Sequence, residues 1–264
     1  MKTVFSLLFL FCINETQACH FNQHVVSLSA PMTMIFEELN LLGDPKLLAI
    51  STFHPVDESQ KFSAERLAGG IFLSKKYLKS YQQAFVFFDE SQELKRELKK
   101  ANIKSLVEFK SRGLDPFDVT FQSIKSLKGV TKGCEKKIKE LKLKLIKIKQ
   151  SFQLPTILKK SIYFLGEIKD QKPDLIIGDD SFVLFLKKSK EFKTYPTSLS
   201  YIPWSQKIMK RLKDYMLVGI SSSQNNDLKV QKVRTKEFNF SMRGLLTPGI
   251  RQVYFLLQLQ KLKM

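Results

Sequence analysis

A few side chains in this 264-residue sequence have the types that do chemistry. Cys19, His20 and His24 stand close together near the N-terminus and resemble a metal-ligand set by type. Their spacing fits no structural zinc pattern, so no metal site is expected there. His54 lies in the loop FHPV at 53–56. A loop histidine can ligate a haem iron or another metal, or only hydrogen-bond within its own turn. Arg112 and Arg243 suit carboxylates and other anions through paired hydrogen bonds. Asp179 and Asp180 precede Ser181 and Phe182, where a helical pattern begins; a capping role is favoured for them over a ligand role. Tyr201 and Trp204, the single tryptophan, can pack on a flat ligand or bury under the turn at Pro203. The sequence has no GxSxG, HExxH or GxxxxGK[ST] motif, and three histidines leave little for a triad. No catalytic residue and no intrinsic cofactor are expected, and an enzyme is the least favoured class.

The elements that must position these groups begin after residue 18. Lys2, the apolar run Val4–Ile13 and small residues at Thr16 and Ala18 read as a secretory signal over residues 1–18. Cleavage there sends the chain to the periplasm or outside the cell. Thr16 replaces the leucine usual before a lipidated cysteine, so a lipid anchor on Cys19 is not expected. Cys19 and Cys134 remain after cleavage and can pair in an oxidising compartment if their geometry allows it. No later segment reaches the roughly 18 apolar residues of a membrane-spanning helix. A formal charge of +19 favours anionic partners without choosing among them.

Val25–Ser29 reads as a buried strand that stops at Ser-Ala-Pro, with Pro31 opening a helix through Leu42. Strands follow at 47–51, 84–88 and 105–109, with a charged helix at 91–101, which is the rhythm of a mostly parallel sheet. Between Pro116 and Phe152 an apolar stripe runs at helical spacing through Leu127, Cys134, Leu141, Leu145 and Ile148. It predicts one long helix, firm from about Gly133. A second α/β half follows: strands at 161–165, 174–178 and 215–220, a helix at 182–190 and a closing helix at 249–262. The fold class is α/β, as two Rossmann-like lobes: one at 19–115, a bridging helix at 116–154, and a second lobe at 155–264. Ligands of open α/β sheets bind beyond the carboxyl ends of the strands. That places Ser29, Ala30, Phe53, His54 and Arg112 at the first lobe's mouth. Ser181, Phe182, Tyr201, Trp204 and Arg243 face it from the second.

The layout resembles the class III periplasmic binding proteins, which carry cobalamin, haem and ferric siderophores to ABC importers. The resemblance rests on VVSLSAPMTMIFEELNLLGDPKLLAIS at 25–51, FHPV at 53–56, AGG at 68–70, DLIIGDDSFVLFL at 174–186, YPTSLSYIPWSQ at 195–206 and LLTPGIRQV at 245–253. It implies a metal chelate held between two lobes and an ABC permease as partner. The family's docking glutamates would fall near Lys76 or Tyr77 and near Gln206, and neither place is acidic. Gln83-Ala84-Phe85 stands where a Pro-Asp is usual.

Two functions follow. The first is an exported, monomeric solute-binding protein for a haem, corrinoid or ferric siderophore. The second is a non-transport interaction protein that binds an anionic partner or membrane surface through its Lys-rich face. Nucleic acid is not an expected partner, because the polar faces of the lysine-rich helix carry no aromatic stacking groups.

Overall fold

The computed structural model describes residues 19–51, 64–67, 75–111, 113–155, 161–165, 175–177, 181–189, 201–203, 216–222, 227–232, 237–241 and 248–260, with single residues 192, 205 and 207. Strand β1 (His20–Phe21) leads into β2 (Val25–Leu28), whose four residues are all buried, as a strand covered on both faces must be. Helix α1 (Ala30–Glu38) follows at once. Ser29 is extended and its hydroxyl accepts the Met32 N–H at 3.4 Å, while Pro31 occupies the first turn, where no donor is lost. Asn40, at φ 59°, takes the left-handed conformation that turns the chain out of the helix.

Strands β3 (Leu47–Ser51), β4 (Glu65–Leu67), β5 (Phe85–Asp89) and β6 (Ser105–Phe109) complete a sheet in the order β4-β3-β2-β5-β6, parallel throughout. Alternate residues serve two cores. Val25, Ile50, Phe87 and Phe109 face one cluster with α1. Val26, Ala49, Val86 and Phe88 face another, closed by Leu94 and Leu98 of α3 (Gln92–Lys100). A short helix, α2 (Lys75–Ser80), precedes β5. Phe36 meets Phe21 and Phe87 edge-on, at 4.9 and 5.7 Å between ring centroids.

The single helix expected across 116–154 is two helices. Helix α4 (Pro116–Lys125) and helix α5 (Glu135–Ser151) are separated by a turn and by β7 (Thr131–Lys132), which pairs antiparallel with β1. The apolar stripe continues through the break, so periodicity alone does not reveal it. Gly129 and Gly133 do: their φ values of 80° and 71° are left-handed, and a helix cannot pass through them. A disulfide joins Cys19 to Cys134 at the start of α5. Pairing was open from sequence, and the Cα–Cα distance of 4.4 Å permits it.

The second sheet holds β8 (Ser161–Leu165), β9 (Leu175–Ile177), β10 (Tyr201–Pro203), β11 (Met216–Ser222), β12 (Asp227–Lys232) and β13 (Glu237–Ser241). Its order is β10-β9-β8-β11-β12-β13, with β8 and β11 parallel and the remaining pairs antiparallel. This half is therefore mixed, unlike the first.

Of two further helices, α7 (Ile250–Gln260) packs with α1 and α4, and α6 (Ser181–Lys187) packs with α4 and α7. Phe182 meets Phe255 at 5.2 Å, and Phe185 meets Phe117 at 4.9 Å. Helix α7 returns to the first helix of the chain. Arg251 pairs with Glu37 at 2.7 Å, and the Tyr254 hydroxyl donates to Glu38 at 2.8 Å. Burial, then the Glu38 charge, raises the Tyr254 phenol above its ordinary value. At Gly249, φ 102°, a Cβ would come within 3.4 Å of Val119, so the α7 entrance lies close against α4.

One ion cluster ties three helices. Asp115, the N-cap of α4, accepts the Asp118 N–H at 2.9 Å and pairs with Lys188 just past α6. Lys149 of α5 lies 3.1 Å from Asp118 and 3.9 Å from Asp115.

Candidate functional site

In the first sheet the chain winds outward from β2 through β3 to β4, then crosses to β5 and β6 on the other side. The winding reverses between β2 and β5. Helix α1 after β2 packs on one face of the sheet and α3 after β5 on the other, and such a switch point is where ligands of open α/β sheets bind. Ser29 and Ala30 follow β2, and Asp89 closes β5.

Ser29 is fully buried, and its hydroxyl is engaged by the Met32 N–H. Its carbonyl accepts from the hydroxyls of Ser27 and Thr33, both at 3.0 Å. This web fixes the turn and the direction of α1's first N–H groups. Asp89 lies against it. Burial raises the Asp89 carboxyl above its ordinary 3.8, opposed by hydrogen bonding with the Ser29 side chain and the Ala30 backbone. Its Oδ1 is buried and has no hydrogen-bond partner among the described residues. A carboxyl oxygen left without a partner at a sheet's switch point can accept a hydrogen bond from a ligand.

Sequence reading located Ser29 and Ala30 at this point and missed Asp89. The available signal was an acid directly ending the apolar run AFVFF. Of the other expected site residues, Phe53, His54, Arg112, Trp204 and Arg243 lie outside the described residues. Ser181 opens α6 and Tyr201 opens β10. Phe182 is 0% exposed and packs α6 against α7 in the core. Among the described residues no group of three His, Cys, Asp or Glu side chains could hold a metal ion. No described helix is long and apolar enough to cross a membrane.

A parallel doubly wound sheet followed by a mixed sheet, with the last helix returning to the first half, defines a two-part α/β fold of the periplasmic binding-protein type. Solved structures with this fold include the periplasmic haem-binding protein HutB of Vibrio cholerae: TM-score 0.60, 14% identity, 90% of this chain and 97% of that one covered. The periplasmic vitamin B12-binding protein BtuF of Vibrio cholerae matches at TM-score 0.57 and 14% identity, over 90% of this chain and 94% of that one. A periplasmic haem-binding protein from Pseudomonas aeruginosa matches at TM-score 0.53 and 16% identity, over 76% and 72%. No protein-family model matches the sequence, and no curated protein does.

Proposed function

We propose that the chain is an exported solute-binding protein that captures a metal chelate, such as a haem, a corrinoid or a ferric siderophore, for ABC import. The observation that carries this reading is the shared fold, which extends over 90% of the chain in the haem- and vitamin B12-binding structures. The switch-point geometry supports it. Asp89 offers a buried acceptor, beside a turn whose own first N–H groups are already bonded to Ser29, to a ligand that is otherwise held by apolar contact. His54, Arg112, Tyr201, Trp204 and Arg243 belong to this proposal as further ligand contacts. The permease partner rests on the resemblance alone. The family's docking glutamate is expected near Lys76 or Tyr77, on helix α2, and neither residue is acidic.

The test is titration of the purified exported chain with haem, cobalamin and ferric siderophores, followed by Trp204 fluorescence and ligand absorbance. Saturable one-to-one binding weakened by His54→Ala or Arg243→Ala is the expected result. A folded chain that binds none of the three overturns the reading.

Asp89→Asn gives a second expectation. The folded carboxyl titrates above its unfolded value, so the ionised form opposes folding. This penalty is absent at acid pH and is fully present once the pH exceeds the folded value. The asparagine variant therefore unfolds at a higher temperature than the wild type at neutral pH, and the difference vanishes in acid. It also binds the chelate more weakly. A melting midpoint that falls, or a higher one with unchanged affinity, removes Asp89 from the site.

A further inference from the structure

Among the described residues, the two exposed large hydrophobic side chains are Leu143, 57% exposed, and Ile146, 42% exposed. Both are on α5. The helix packs inward through Leu141, Leu145 and Ile148, so Leu143 projects from the opposite side and Ile146 sits one turn further along. Lys136, Lys139, Lys142 and Lys147 surround them and are exposed. The remaining α5 lysines have tasks within the fold. Lys137 donates to the Leu39 carbonyl, Lys144 to the Tyr254 hydroxyl and Lys149 to Asp118.

Beside this face runs a groove of about 590 Å³ between α5 and the turn that ends α4. Ile124, Leu127, Ile138 and Leu143 form its apolar walls. Lys125, Lys128, Lys139 and Lys142 stand along it, and none of their ammonium groups has an ion pair or hydrogen bond among the described residues. The acids nearby are Glu135 on the groove and Glu140 on the helix flank.

We propose that the outer face of α5, with this groove, docks on an anionic membrane surface. Apolar side chains among unpaired lysines are the pattern of a helix lying in a lipid interface, with lysine stems along the apolar boundary and ammonium groups among the headgroup phosphates. Lysines are compact point charges without the fixed fork of arginine, which suits mobile phosphates better than one shaped partner. The groove also holds little polar structure to orient a peptide: Thr131 and Glu135 are its uncharged-hydroxyl and acidic members. The contact is peripheral and salt-sensitive. It is independent of the chelate reading and survives that reading's failure.

The test is co-sedimentation of the purified exported chain with phosphatidylcholine vesicles, with and without about one-third phosphatidylglycerol, across a salt series. Expected is binding to the anionic vesicles that falls with salt, and little to the neutral ones. Each basic residue near such a surface contributes roughly fivefold in partitioning, so Lys139→Glu with Lys142→Glu weakens binding by about 25-fold or more. Leu143→Ser with Ile146→Ser weakens it at every salt concentration. The control Lys99→Glu with Lys104→Glu removes the same net charge from the region of α3 and stays within about threefold of wild type. Equal losses in both charge variants, or no anionic-vesicle binding, overturn the proposal. So does retention on an acidic polypeptide, abolished by the α5 variant, in a chain that ignores vesicles. Circular dichroism of each variant separates loss of the surface from loss of the fold.

Discussion

Asp115→Ala lowers the stability of the folded chain by about 2–4 kcal/mol, the sum of a lost helix cap and a lost charge-assisted hydrogen bond. The Asp115 side chain is 0% exposed, and its substitution removes the buried member of the cluster, leaving Asp118 alone to pair with Lys149 and Lys188. Lys188 is 57% exposed and Lys149 36%, so both can turn to water afterwards. The cost therefore stays below that of stranding a fully buried partner. Asp115→Asn separates the two parts, since its side-chain oxygen still caps α4 while the charge is gone. It retains about 1 kcal/mol that alanine loses.

The pH dependence has a definite sign. Burial works against the Asp115 charge, but the Lys188 hydrogen bond, the Asp118 N–H and the charges of Lys149 and Lys188 outweigh it. The folded carboxyl sits below its ordinary 3.8. Its contribution is complete above the unfolded value and is lost as the pH falls through the folded one. Urea unfolding at neutral pH and at a pH well below the ordinary 3.8 checks this: wild type and Asp115→Asn converge only once the folded carboxyl is protonated. A difference that stays constant with pH contradicts the assignment.

Opening the Cys19–Cys134 bridge has an effect at least as large. The bridge spans a sequence separation of 115 residues, enclosing the whole first sheet and α4. In the chain-entropy account, freeing a loop of that length costs about 4–5 kcal/mol. The double variant Cys19→Ser with Cys134→Ser, or the wild type under reductant, unfolds at a correspondingly lower denaturant concentration. Unchanged midpoints mean that the two sulfurs are not joined in solution. The bridge also bears on membrane attachment, because a sulfur in a disulfide cannot carry a thioether-linked lipid.

The first half of the fold was legible because its strands are short apolar runs, each followed by a clear break. VVSL, LLAIS and SLVEF lie within a residue of where they were read. The Ser-Ala-Pro turn is readable for the same reason: Ser29 and Pro31 each have one favourable place at a helix start. The division of 116–154 was less so, since both helices present apolar residues to the same core and the stripe keeps its period across Gly129 and Gly133. Strands β12 and β13 were not read as strands. Leu228 and Val230, then Phe238 and Phe240, alternate with polar residues, a weak signal in a lysine-rich setting. Asp89 is not legible because an acid that follows an apolar run such as AFVFF is ordinary at a strand end. Its importance comes from the strand order, which only the fold supplies.

The return of α7 to α1 and α4 has a consequence for how the chain comes into being. Synthesis delivers a polypeptide N-terminus first. The partners of Pro31–Phe36 and of α4 include Val253, Leu256 and Leu259, which emerge last. Until they arrive, the first half has its sheet but keeps an oily flank uncovered. Closure of the first core is thus timed by release of the C-terminal end, and a chain cut short before residue 250 would keep that apolar flank exposed.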